Sequence, residues 1–432
     1  MTGERPAVLA AFTGAAWEAE VVALVDRQST PLTLLRRCVD VADLLAAAAA
    51  GTADVALVAA ELLRFDRESL VRLRADRVAV LGVVAPGDDH GEQRLRQIGV
   101  NTVIRSDAAP DEFSRSVQAA LSVGFDEAPA SELALAETPH DEDLADRRPP
   151  AHGGGKVISV WGPAGAPGRS TVAVNLAAEI ALSGDSALLV DADTYGGGAV
   201  AQLLGLLDES PGLAAAARAA NTGALDLHAL AKLATLAAPD LRVLTGISRA
   251  ARWTELRQAS VEHVLNTSRS LAAWTVVDCG FSIEVDEELV YDTAAPRRNG
   301  ATLAALEASD VIVAVGGCDP VSMARLVRAL ADLRETVSGK PVAIVVNRVR
   351  ATVAGRNPQE QAADALVRFA GVESVTCIPE DLAAVDEALR HGRVLADVAP
   401  RSSVRAAIAG LATGITGLEP RRSGRRLRRR AG

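Results

Sequence analysis

Gly165, Gly168, Arg169, Ser170 and Thr171 lie within one short stretch, GPAGAPGRST, at residues 162–171. An apolar run, VISVW, precedes it and a helical pattern follows. Backbone N–H groups of a glycine-bearing turn that opens onto a helix N-terminus face an anion, and phosphate suits that arrangement. The phosphate-loop pattern G-x-x-x-x-G-K-[ST] is matched in part: Pro163 stands at its first glycine and Arg169 at its lysine. Two further apolar runs end in acids, ALLVDAD with Asp191 and Asp193, and WTVVDCG with Asp278. A carboxylate at the Asp278 position holds Mg²⁺ directly or through water when phosphates are bound. The chemistry implied is Mg²⁺–nucleotide binding. The competing reading is a relic loop that keeps a fold and binds nothing.

Apolar runs and helical patterns alternate on either side of this stretch. In residues 155–418 the strands are expected at 157–161, 187–192, 241–246, 274–279, 311–315, 342–346 and 374–378. The Ala-rich residues 204–240 read as helical, as do 383–391 and 402–412. Every connection is then a helix, and the sheet is expected to be wholly parallel. Carboxylates at the ends of such strands gather at the sheet edge where ligands sit in open α/β folds.

Residues 1–123 repeat the alternation on a smaller scale, with strands expected at 7–12, 32–35, 55–59, 78–84 and 102–104. Helices fall between them, which makes a small doubly wound α/β domain. Residues 124–154 are rich in Glu, Asp, Pro and Ala and end in a glycine run, the composition of a disordered acidic linker. Residues 419–432 form a basic tail expected to be disordered.

At 432 residues, 49% of them hydrophobic, the chain has material for two or three cores. Aromatics make up 3%, so Ala, Val and Leu must do the packing. The formal charge is −10, and it becomes −17 without the seven arginines of the tail. An acidic body disfavours general nucleic-acid binding by the globular part. Cys38, Cys279, Cys318 and Cys377 are scattered through apolar runs and read as buried free thiols in a reducing cytoplasm. No signal segment and no apolar stretch of about 20 residues is visible.

The motifs match, in order, a known family. The loop 163–171, the D-x-D at 191–193, DCGFSIE at 278–284, Asn347-Arg348 at a strand end and IPEDLAAVDEALRHGRVLADVAPRS at 378–402 resemble the ParA/MinD group of P-loop ATPases. In front of them, the strand order of residues 1–123 and the stretch GVNTVIRSDAAPDEF at 99–113 resemble a receiver domain. Together they make the chain similar to the CpaE/TadZ branch, whose members position pilus-assembly machinery; related chains determine septum sites. The receiver resemblance lacks its chemistry. Ala10, Ala11 and Phe12 end the first strand, Ala59 and Ala60 the third, and Ser106 stands near the expected lysine. Without carboxylates no metal or phosphoryl group is held, which implies a pseudo-receiver that docks proteins.

The resemblance implies ATP and Mg²⁺ as cofactors. It places Gly165, Gly168, Arg169, Ser170 and Thr171 around the phosphates, with Ser170 and Asp278 on the metal. Asp193 would orient the attacking water, supported by Asp191, with Arg169 as the catalytic cation. Asn347 would face the adenine and Pro379 its other side. A nucleotide-linked homodimer is implied, with recruitment to the membrane's inner face, cell pole or septum. Three departures weaken catalysis. The group's signature lysine would fall at Ala164, Arg169 replaces the loop lysine, and Pro167 removes an N–H. Hydrolysis is therefore expected to be slow or absent. Arg297 and Arg298 are candidates for the missing cation. The arginine tail, whose one large apolar residue is Leu427, cannot form an amphipathic membrane helix. It is either a weak contact for anionic lipid or DNA, or a solubilising extension. A nucleotide-poor scaffold and a DNA-partitioning ATPase are the alternative functions.

Overall fold

A computed structural model describes residues 5–15, 17–25, 32–122, 154–206, 211–284, 296–354 and 356–418. All but the last residue of the expected linker, and the whole tail, lie outside these residues. Two compact units are present.

The first unit contains β1 (Ala7–Ala11), α1 (Glu18–Val25), β2 (Thr33–Cys38), α2 (Val41–Ala49), β3 (Val55–Ala59) and α3 (Arg67–Ala75). It continues with β4 (Ala79–Val84), α4 (Asp89–Ile98), β5 (Thr102–Arg105) and α5 (Pro110–Ser122). Its five strands are all parallel, in the flavodoxin-like order β2-β1-β3-β4-β5. Strand β3 shows why the sheet is covered on both faces. All five of its residues are buried. Val55, Leu57 and Ala59 pack with Val21 and Phe113 on one side, while Ala56 and Val58 pack with Leu44 and Leu70 on the other.

The strand ends of this unit are closed by side chains of the chain itself. Glu18, 2% exposed, accepts hydrogen bonds from the Thr13 N–H (2.5 Å), the Thr13 hydroxyl (3.1 Å) and the Gly14 N–H (2.7 Å). The Arg94 guanidinium donates to the carbonyls of Ala60 and Phe65. Asp54 accepts from the Ala7 N–H at 2.7 Å and sits at an exposed edge.

The second unit opens with β6 (Lys156–Trp161), α6 (Arg169–Ser183), β7 (Ala187–Ala192), α7 (Ala199–Leu203), α8 (Gly212–Thr222, of which the residues from Arg218 on group with the first unit) and α9 (Leu227–Leu233). Next come β8 (Thr235–Ala238), β9 (Leu241–Leu244), α10 (Gln258–Leu271), β10 (Trp274–Cys279), α11 (Gly300–Ala308) and β11 (Val311–Gly317). The last elements are α12 (Pro320–Thr336), β12 (Val342–Val349), α13 (Ala351–Ala354), α14 (Pro358–Ala370), β13 (Val375–Pro379), α15 (Leu382–His391), α16 (Leu395–Val398) and α17 (Ser403–Thr416). The eight strands run in the order β13-β12-β11-β6-β10-β7-β9-β8.

Two expectations are corrected here. Residues 204–240 are not helical throughout, and the sheet is not wholly parallel: β8 pairs antiparallel with β9. Alanine's high helix propensity hides this strand in the sequence. The break is Pro239-Asp240. Proline cannot continue a helix or donate to a ladder, and Asp240 takes a left-handed φ of 62°. A two-residue connection can only join antiparallel strands. Arg242 then donates to the carbonyls of Ala231 and Ala234, both at 3.0 Å, closing the end of α9. The thiols also differ in part. Cys38, Cys279 and Cys318 are buried, but Cys377 lies half-buried on the edge strand β13.

Helix α6 is the centre of this unit's core. Residues from Val172 to Ala181 are all buried, and small side chains let the sheet, α16 and α17 approach on several sides. Its two interior polar residues are fully engaged. Asn175 donates to the Thr171 carbonyl and accepts from the Leu395 N–H, both at 2.8 Å. Glu179, 5% exposed, accepts from Arg405 at 2.7 and 3.3 Å. Removing one member of a buried pair leaves the other charge stranded. Arg405→Ala should therefore destabilise this unit by on the order of 3 kcal/mol, measured by urea unfolding. A change within experimental error would show that water reaches Glu179 freely. Among the described residues, no helix is long and apolar enough to cross a membrane.

Candidate nucleotide site

Strand β6 lies between β11 and β10 in mid-sheet, so the loop after it opens at the centre of the C-terminal edge. A tight turn closes its first half, with the Ala166 N–H donating to the Pro163 carbonyl at 2.9 Å. Gly168 begins α6 with a left-handed φ of 80°. A Cβ at Gly168 would lie 2.3 Å from the Asn347 side-chain nitrogen, so only glycine permits this approach. Asn347 donates to the Pro167 carbonyl at 2.9 Å and accepts from the Arg348 N–H at 2.9 Å. Both ends of its amide are thus engaged at the foot of the loop. Pro379 ends β13 and pairs with Val349 of β12 at the same sheet edge.

Arg169 turns inward. Its Nη1 donates to the carbonyls of Gly162 (3.0 Å) and Pro163 (3.3 Å), and its Nη2 lies 3.7 Å from Asp193 Oδ2. Asp193 also accepts from the Tyr195 N–H at 2.8 Å. The loops after β7 and β10 hold this region from above. The Thr194 hydroxyl donates to the Arg298 carbonyl at 2.7 Å, Tyr195 and Phe281 rings meet at 4.5 Å, and Trp161 Nε1 donates to the Phe281 carbonyl at 3.1 Å. Arg298 lies 4.3 Å over the Tyr195 ring.

Asp191 and Asp278 are register partners on the adjacent parallel strands β7 and β10 and are fully buried. Asp191 accepts from the N–H groups of Asp193 (3.2 Å) and Val200 (3.3 Å). Burial nevertheless pushes its carboxyl up to about 7, with Asp193 adding to the effect and those two bonds opposing it. Asp278 is raised well above the ordinary range, first by burial and then by Asp191; the Ser170 hydroxyl and Arg169 act against this. That hydroxyl stands near Asp278, yet neither Asp278 oxygen makes a well-formed hydrogen bond among the described residues. The Arg169 Nε and the Thr302 hydroxyl are buried and unpartnered too.

A buried carboxylate without a well-formed hydrogen bond among the described residues, close to a hydroxyl at a helix N-terminus, fits a divalent cation. No group of three or more His, Cys, Asp or Glu side chains among the described residues is arranged to hold a metal. Mg²⁺ here would rely on Asp278, Ser170, phosphate oxygens and water, the ligand set it commonly takes with phosphates.

The fold thus brings together Arg169, Ser170, Asp191, Asp193 and Asp278, and sets Asn347 against Gly168. Sequence reasoning missed Arg325 of α12, whose Nη1 donates to the Ala164 carbonyl at 3.3 Å from 161 positions away. It also missed the Tyr195–Phe281–Arg298 stack. No local pattern signals either one.

Comparison with known proteins follows the same residues. Residues 158–394 match the family described as CobQ/CobB/MinD/ParA nucleotide binding domain. Among solved structures, the chain is similar to a ParA family ATPase from Chlorobium tepidum, with 22% identity and a TM-score of 0.49 over 60% of this chain and 98% of that one. It is similar to the septum site-determining protein MinD from Pyrococcus horikoshii, solved with Mg-ADP, with 18% identity and a TM-score of 0.49 over 61% and 97% of the two chains. It is also similar to apo McdA from Cyanothece, with 15% identity and a TM-score of 0.47 over 60% and 99%. No curated protein matches the chain in sequence.

Proposed function

The chain belongs to the CobQ/CobB/MinD/ParA nucleotide-binding family, and from this premise we propose that it is a Mg²⁺–ATP-binding positioning protein of the CpaE/TadZ kind. In this reading Gly165, Gly168, Ser170 and Thr171 cradle the phosphates, Arg169 neutralises them, and Ser170 with Asp278 holds the metal. Asp193 orients water from beside Arg169, and Asp191 supports it. Asn347 and Pro379 border the base. The bound nucleotide links two copies, and the five-stranded unit docks the protein that is to be positioned. The absence of carboxylates at Phe12, Ala59 and Ala60 supports a docking role over phosphoryl transfer in that unit.

The observation that carries the reading is the buried Asp278 carboxylate, whose oxygens make no well-formed hydrogen bond among the described residues although the Ser170 hydroxyl stands near. Phosphoryl transfer depends on positioned cations. With Ala164 uncharged and Arg169 drawn to its own loop, turnover is slow or absent. Calorimetric titration of the full chain with ATP, with and without Mg²⁺, tests this. Binding that requires Mg²⁺ is expected; no heat at millimolar ATP would overturn it. The position of Arg169, bonded to Gly162, Pro163 and Asp193, favours one second reading, a scaffold that keeps the fold and binds nucleotide poorly.

A further inference from the structure

We propose that Arg325 supplies, at the tip of the loop 162–168, the cation that meets the terminal phosphate of a bound nucleoside triphosphate. This rests on the nucleotide reading above and assigns a residue that the loop's own sequence does not contain.

Residues 162–168 carry no charged side chain. Ala164 and Gly165 form their exposed tip. Arg169 is drawn beneath that tip by the Gly162 and Pro163 carbonyls and by Asp193. Arg298 is stacked on Tyr195. Arg325 is exposed, and Nη1 reaches the tip, where it donates to the Ala164 carbonyl at 3.3 Å. That bond is long and uses one of five guanidinium N–H groups, so an anion of higher charge density displaces the carbonyl readily.

The neighbouring glycine leaves room for this approach. Gly165 has φ +78°, and a Cβ there would lie 2.7 Å from Arg325 Nη1. The helix that carries Arg325 is well anchored. Asp319 caps α12 through the Val321 and Ser322 N–H groups at 3.1 and 3.0 Å, and Leu326, fully buried, packs where Gly316 leaves room. Arg325 therefore projects from a fixed base onto a loop that lacks a cation.

Titration of the full chain with ATP and with ADP, both with Mg²⁺, tests the assignment. Arg325→Ala should lose roughly tenfold to hundredfold in ATP affinity, the effect of one charge-assisted contact, and should leave ADP affinity unchanged. Adding Ala164→Lys to that variant should restore ATP binding, because it returns a cation to the same tip. Arg328→Ala, an exposed arginine on the same helix, should bind both nucleotides as the unaltered protein does. Unchanged ATP affinity in Arg325→Ala overturns the assignment alone. Equal loss of ATP and ADP, failure of the lysine rescue, or an equal loss in Arg328→Ala overturns it as well. If the unaltered protein binds neither nucleotide, the nucleotide reading falls and this assignment falls with it.

Discussion

The Asp191→Asn variant should resist urea better than the unaltered protein at about pH 8, and the advantage should fade towards about pH 4. Asp191 is fully buried, and burial raises its carboxyl to about 7. The folded state therefore holds a proton that the unfolded chain gives up near its ordinary value of about 4. Stability from this group is fully present below that lower value and is lost as pH rises to about 7. The span of about three units corresponds to roughly 4 kcal/mol. Asparagine has no proton to lose and escapes the penalty. Its amide leaves the N–H of Asp193 or Val200 without an acceptor, which costs about 1 kcal/mol. The net gain at the higher pH is then on the order of 3 kcal/mol. Carboxylates away from this site titrate alike in both proteins, while Asp278, which Asp191 helps to raise, shifts with the substitution, so the difference between the two urea midpoints reads the Asp191–Asp278 pair. A difference that stays constant with pH would show that the carboxyl is ionised at neutrality, with a cation or water beside it.

Arg169→Ala should weaken Mg²⁺–ATP binding by roughly tenfold to hundredfold, equivalent to the loss of one or two charge-assisted bonds. Two separate consequences lead to this loss. The guanidinium is the only cation in the stretch 162–171. It also joins the Gly162 and Pro163 carbonyls to Asp193, so alanine releases the loop and leaves the Asp193 carboxylate without its positive neighbour. Arg169→Lys separates the two. A compact ammonium can neutralise phosphate but cannot bridge two carbonyls and a carboxylate through a planar fork. Recovery of affinity with lysine would assign the effect to charge, and failure to recover would assign it to the bridge. Affinity unchanged in Arg169→Ala would mean that the arginine serves only the loop's own shape, as in the scaffold reading.

Much of the architecture is legible in the chain because buried parallel strands are short apolar runs with marked ends. Residues 55–59 were expected as a strand and form β3 over the same span. Asp191 and Asp278 stand out for the same reason, as acids within or ending such runs. The strand β8 was not legible. Its alanines satisfy a helix as well as a sheet edge, and only the turn at Pro239-Asp240 distinguishes the two.

What the sequence determined by itself is which groups are available: a glycine-bearing turn at a helix start, acids in the strands that flank it, and a loop tip without charge. These are local facts, carried by residue type and spacing. Tertiary structure alone decided how the groups are used. The register of β7 against β10 pairs Asp191 with Asp278 and buries both. Asn347 is turned to the foot of the loop, and Arg325 is brought to its tip from 161 positions away. Burial, and with it the raised carboxyls of Asp191 and Asp278, depends on how many neighbours close around a side chain. Residues far apart in the chain supply those neighbours, so no local pattern records them.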